Sequence, residues 1–162
     1  MTKLIDPYGR TIDYLRISIT DRCNLDCLYC APFGGRRRLS HADILSYEEI
    51  LRITNAAVLS GISKIRITGG EPFQRRGMVR LCRMLADIDG IESLAVTTNG
   101  ILLKEFADPL FEAGVQRVNI SLDTLKPERF KEITGGDLLY RVLEGIEAAE
   151  KAGLNPIKIN TV

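Results

Sequence analysis

Short runs in which apolar and polar residues alternate are separated along this chain by longer stretches with helical periodicity. The alternating runs at 15–20, 64–68, 94–98, 117–122 and 156–162 predict five strands. Helices are expected between them. Ser46, followed three residues on by Glu49, reads as a capping box that opens the first, which closes near Gly61. A second is expected over 78–88, stopping at Gly90. A third spans 103–113 with a break at Pro109, and a fourth covers 139–151 before Gly153. A short helical turn at 127–133 precedes that last helix. Strand–helix–strand order at this spacing requires right-handed crossovers and a parallel sheet, so the predicted class is α/β. The sheet is either open and doubly wound or curled toward a barrel.

Parallel strands covered on both faces are usually apolar throughout, and these are not. Leu15, Ile17 and Ile19 share one face while Arg16, Ser18 and Thr20 share the other; Ile65 and Ile67 oppose Lys64, Arg66 and Thr68. The split recurs with Leu94 and Val96 against Thr97, with Val118, Ile120 and Leu122 against Asn119, Ser121 and Asp123, and with Ile157 and Ile159 against Lys158 and Asn160. Helices are expected on the apolar faces. The polar faces then look into a shared concavity carrying Arg16, Arg66 and Lys158, which suits an anionic, hydrogen-bonding ligand. A solvated open sheet is the alternative, and its weakness is that five strands repeat the pattern.

The 22 Lys and Arg nearly balance the 21 Asp and Glu, so the overall field draws in neither nucleic acid nor an anionic membrane, and any anion site is local. No apolar run approaches the roughly 20 residues that span a bilayer. The first residues do not read as a signal peptide, and a cytoplasmic location is expected. In that reducing setting clustered cysteines are better read as metal ligands than as disulfides. With 162 residues the chain is expected to form one domain.

The unusual residues fall just after strands. The string CNLDCLYC follows the first, Gly69-Gly70-Glu71-Pro72 the second and Thr98-Asn99-Gly100 the third, while Ser121-Leu122-Asp123 ends the fourth. Carboxyl ends of parallel strands are where such folds bind ligands, so these motifs are expected to share one site. Cys23, Cys27 and Cys30 suit a 4Fe-4S cluster with one iron left open to an exogenous chelate. Zinc is the competitor, but it would want a fourth ligand. Cys82 falls on the apolar stripe of its helix and His41 is a lone loop histidine, so neither is a convincing fourth. The Gly-Gly turn lets backbone approach a ligand closely, and Glu71 could accept from an ammonium group. The Arg36-Arg37-Arg38 run reads as a solvated loop face without an assigned role.

On CNLDCLYC with GGEP the chain resembles the radical S-adenosylmethionine superfamily. On DPYGRTIDYLRISITDRCN, RITGGEPFQRR, TTNG and SLDTLKPERFKEITG it resembles, within that superfamily, the GTP 3′,8-cyclase family of molybdenum cofactor biosynthesis. The resemblance implies a partial, incomplete TIM-like barrel of the radical S-adenosylmethionine type. It implies that Cys23, Cys27 and Cys30 hold the cluster as metal ligands and carry its electron transfer. Tyr29, Gly70 and Ser121 would contact S-adenosylmethionine with Glu71 supporting the turn, and Arg16, Arg66, Thr97 and Lys158 would hold GTP. The implied lyase activity cleaves S-adenosylmethionine reductively and uses the 5′-deoxyadenosyl radical to cyclise GTP to 3′,8-cyclo-7,8-dihydro-GTP. A cyclic pyranopterin monophosphate synthase would act next.

Family members also carry a C-terminal second cluster that binds guanine. The 162 residues are therefore expected to be the N-terminal part of a core domain that does not complete catalysis alone. An unpaired fifth strand would favour a homo-oligomer or swapped dimer. Two other readings remain at this stage, a radical S-adenosylmethionine maturase acting on peptides and a zinc-stabilised binding module.

Overall fold

The computed structural model describes residues 4–30 and 39–162; the Arg36–Arg38 run lies outside the described residues. Strands β1 (Tyr14–Ser18), β2 (Lys64–Thr68), β3 (Ser93–Thr98), β4 (Arg117–Ser121) and β5 (Ile157–Asn160) form one sheet, every pairing parallel. Helix α1 (Tyr47–Leu59) follows β1, α2 (Met78–Ala86) follows β2 and α3 (Leu103–Glu112) follows β3. Helices α4 (Pro127–Thr134) and α5 (Leu139–Lys151) both lie between β4 and β5.

The strand order is sequential, β1-β2-β3-β4-β5. A doubly wound sheet reverses its order at a switch point, whereas a barrel adds each strand beside the last and keeps its helices outside. The described residues thus form a partial barrel, open because β1 and β5 each pair on one side only. Ile65, Ile67, Leu94, Val96, Val118 and Ile120 are all buried in one cluster with Leu81 and Leu85 of α2, Leu103 and Leu110 of α3, and Val142 of α5. Each such side chain contributes about 1.5–3 kcal/mol on burial, which is why the apolar face of every inner strand ends up against helices.

The polar face is graded across the sheet. On β1, Arg16 and Ser18 are exposed, and on β5 so are Lys158 and Asn160. At the centre Ala95 and Asn119 are only 3% and 1% exposed. The concavity is therefore deep at β3 and β4 and open at its two lips.

Local chemistry explains most boundaries. Ser46 caps α1 as expected, its hydroxyl accepting from Glu49 N–H at 3.2 Å while Glu49 accepts from Ser46 N–H at 2.7 Å. The expected break at Pro109 does not occur, because α3 runs through it. The proline removes one intrahelical donor in the last turn, and burial of Leu103, Ala107 and Leu110 holds the helix in place. Among the described residues no helix is long and apolar enough to cross a membrane.

Helices α3 and α5 meet closely at Gly145, where a Cβ would lie 2.6 Å from the Gly100 carbonyl oxygen and 3.0 Å from Leu103 Cβ. Helix propensity alone would make Gly145→Ala stabilising by about 1 kcal/mol. The blocked contact reverses the sign, and a net loss of about 1–3 kcal/mol is expected. Urea unfolding midpoints of the two proteins check it.

Candidate functional site

The Gly69-Gly70-Glu71-Pro72 turn is fastened to the segment that leads from β1 to the cysteines. Gly70 N–H donates to the Thr20 carbonyl and Glu71 N–H to the Arg22 carbonyl, both at 2.7 Å. A Cβ on Gly69 would stand 2.5 Å from Thr20 O, and one on Gly70 would collide with Arg22 O. The paired glycines are expected from the sequence to let backbone approach a ligand. In the structure the close approach is to residues 20–22, because the turn and that segment pack main chain to main chain.

Glu71 also departs from expectation. It has no exposed surface, so it cannot take an ammonium group from solvent. Its carboxylate instead accepts from Phe73 N–H at 3.2 Å, from the Thr98 hydroxyl at 2.9 and 3.0 Å, and from Asn99 N–H at 2.8 Å. One carboxylate thereby joins the end of β2 to the end of β3. Burial pushes its pKa up to about 6, with the hydrogen bonds from Asn99, Phe73 and Thr98 partly offsetting the rise.

The three cysteines stand at three depths along one loop. Cys27 is buried, Cys23 half-buried and Cys30 exposed, and all are free thiols. Backbone bonds from Asp26 N–H to Thr134 O and from Leu28 N–H to Ile133 O, 3.0 and 2.9 Å, lay the loop against the end of α4. Among the described residues no three His, Cys, Asp or Glu side chains are drawn together tightly enough to hold a single metal ion. The donor set nevertheless fits an iron–sulfur cluster, which wants soft thiolates carried on one short loop at a ligand-binding sheet edge. Cys82 lies outside this group. It is fully buried against Met78 of the same helix, and burial pushes its thiol up to about 12.

Asn99 reaches the cysteine loop. Its Nδ2 donates to Asn24 Oδ1 at 2.8 Å and lies 3.8 Å from Cys23 Sγ, while its Oδ1 accepts from Ile101 N–H. Tyr29 spans the site the other way, its hydroxyl donating to Asp123 Oδ2 at 3.0 Å. Burial and that bond raise the Tyr29 pKa, so the phenol keeps its proton. Cys27, Tyr29, Asn99, Ser121 and Asp123 line one cleft at the carboxyl edge.

Asn99 and Asp123 belong to strings singled out in the sequence but carry no assigned role there; only their hydrogen bonds reveal one. Arg75 was equally silent. It clamps the edge by donating to Ile19 O at 2.7 Å and Leu45 O at 2.6 Å while stacked 4.3 Å from the Tyr47 ring.

Below the cleft, Arg16 pairs in register with Arg66, and Asn119 pairs with Thr97 on one side and Lys158 on the other. Arg66 Nε, Thr97 Oγ1 and Asn119 Nδ2 are buried and find no hydrogen-bond partner among the described residues. Buried polar atoms are seldom left so, and three on the concave face of adjacent strands mark a place for a ligand rich in acceptors.

A thiol loop at the carboxyl edge of a partial parallel barrel, above a donor-lined concavity, defines a barrel-type α/β fold with a ligand-binding edge. Residues 17–162 match the radical SAM superfamily, and the chain belongs to it. It is 55% identical over 159 residues to the GTP 3′,8-cyclase of Peptoclostridium acidaminophilum, covering 98% of this chain and 49% of that protein. Against the GTP 3′,8-cyclase of Geobacter sulfurreducens it is 56% identical, with 99% and 49% covered. The chain thus spans about half the length of the curated relatives it matches. Among solved structures, Streptococcus suis SuiB bound to S-adenosylmethionine superposes with a TM-score of 0.76 at 22% identity, over 92% of this chain and 33% of that one. HydG, a maturase of the [FeFe]-hydrogenase, gives 0.72 at 15% identity over 92% and 34%. These two likenesses speak to the fold.

The raised pKa of Glu71 carries a pH signature. Between the ordinary 4.5 and about 6 the folded chain binds more protons than the unfolded one, so stability falls as pH rises through that window. The loss attributable to this group is about 2 kcal/mol. Urea unfolding of the metal-free chain at pH 4.5 and 6.5 is expected to show it in the wild type, and the same difference is expected to vanish in Glu71→Gln.

Proposed function

We propose that this chain carries the S-adenosylmethionine-binding and cluster-binding face of a GTP 3′,8-cyclase, together with part of its GTP site. The observation that carries the reading is the stacking of two donor sets on one concave face: three free thiols at the rim and three unpartnered buried donors beneath them. The relatives named GTP 3′,8-cyclase, more than half identical over nearly the whole chain, supply the substrate.

Cys23, Cys27 and Cys30 would hold a 4Fe-4S cluster, which when bound supplies one-electron reduction of S-adenosylmethionine and so a radical for hydrogen abstraction from GTP. The rest falls to the protein. Asn99, held by Glu71, directs its amide toward Cys23 and so would stabilise a thiolate there, the kind of outer contact that sets cluster potential. Cys27, buried beside Leu25, keeps water from one side of the loop. Tyr29, Gly70 and Ser121 would contact S-adenosylmethionine, with Glu71 fixing the turn from inside and not touching it. Arg66 and Thr97, with Arg16 and Lys158 on the lips, would hold the triphosphate as charge-assisted donors.

We read residues 1–162 as part of one core domain in the cytoplasm, with contacts to guanine lying outside these residues. Its product would pass to a pyranopterin-forming synthase. The open edges of β1 and β5 would favour self-association.

Anaerobic reconstitution with iron and sulfide tests the cluster. About four iron and four sulfide per chain are expected, sharply reduced in Cys27→Ser; stoichiometric zinc without sulfide would instead leave a metal-stapled binding module. GTP binding measured by equilibrium dialysis is expected to weaken about tenfold or more in Arg66→Ala. Unchanged affinity would remove the nucleotide from the reading.

A further inference from the structure

Asn119 is a buried polar residue whose donor the fold does not use. It is 1% exposed at the middle of β4, its Nδ2 has no acceptor among the described residues, and the reading above counts it among the unpartnered donors without assigning it a contact. Its neighbours in register are Thr97 on β3 and Lys158 on β5, so the three form one row across the concave face. The adjoining row holds Arg16, Arg66, Ala95 and Arg117. No carboxylate interrupts either row. Every polar side chain of the two rows presents N–H or O–H, and only Asn119 among them is an amide.

Asparagine is a poor choice for the centre of a strand on structural grounds alone. A valine or threonine would favour the extended backbone, and valine would leave nothing unsatisfied. An amide nitrogen buried there with no acceptor among the described residues weakens the fold and is explained by a contact completed from outside.

We propose that Asn119 contacts the substrate, its Nδ2 donating to an anionic oxygen of the GTP triphosphate between Thr97 and Lys158. This rests on the nucleotide assignment above. The acceptor is read as a phosphate oxygen because the two rows bring together Arg16, Arg66, Arg117 and Lys158 with no carboxylate, a charge balance that suits a polyanion better than a neutral base. Asn119 therefore sharpens selection for the triphosphate, leaving binding of S-adenosylmethionine to the edge above it.

The isosteric pair Asn119→Val and Asn119→Thr tests this, since the two differ only in a methyl group exchanged for a hydroxyl. Asn119→Val is expected to melt at or above the wild-type temperature yet bind GTP about tenfold or more weaker, with Asn119→Thr between the two and S-adenosylmethionine affinity unchanged in both. A stabilised valine variant that binds GTP like wild type, while Arg66→Ala does not, overturns the role of Asn119 and leaves the nucleotide reading intact. Loss of GTP binding in wild type itself overturns both. Nitrogen-15 spectra of the metal-free wild-type chain give a reading that needs no folded variant. The Asn119 side-chain amide signals are expected to shift on adding GTP and not on adding guanosine; signals unmoved by GTP, or moved equally by guanosine, overturn the phosphate contact.

Discussion

The Glu71 carboxylate, sealed from water, is the joint through which the carboxyl edge of the sheet is assembled. Four acceptor contacts run from it to its own turn, to Thr98 at the end of β3 and to Asn99 just past it. Through Asn99 the same joint reaches Asn24 and Cys23, so a thiol on the loop after β1 takes its position from a carboxylate after β2 by way of an amide after β3. Three elements distant in sequence are thereby set relative to one another by one group whose removal would leave several buried donors unpaired. The high proton affinity of this carboxylate is the electrostatic side of the same arrangement: it is deeply desolvated, and its hydrogen-bond donors offset that only in part.

Much of the fold could be read from alternation. The five strands, the capping box at Ser46 and the helix end near Gly61 follow from rules that act within a few residues, and the structure has them close to where they were expected. The choice between a doubly wound sheet and a barrel could not be read that way, because it depends on strand order, which no local pattern encodes. Pro109 misled for a related reason. A proline's cost is local and visible, while the packing of Leu103, Ala107 and Leu110 that outweighs it is tertiary.

The site was legible in its residue types and much less so in their connections. The cysteine spacing, the inward cations and the strand-end motifs were apparent as strings. What Glu71, Asn99, Asp123 and Arg75 do was not, since each acts through a partner many residues away: Tyr29 with Asp123, Arg75 with Ile19 and Leu45. The reading of Glu71 failed on burial, since a carboxylate in a turn looks available until the neighbouring strand end closes over it. Asn119 stands on the polar face in the alternation, but an orphaned donor is visible only when its surroundings are.

The seam between the Gly69-Gly70 turn and residues 20–22 runs main chain to main chain through two short N–H···O=C bonds. Such a seam reads geometry. On one side the Thr20 hydroxyl steadies the segment by accepting from Arg22 N–H at 3.1 Å, and on the other a single methyl at position 70 would collide with the Arg22 carbonyl and force the two apart beneath the cysteine loop. The two banks of one contact are therefore constrained in different ways: one by the hydrogen bonds its side chains make, the other by the absence of any side chain larger than hydrogen.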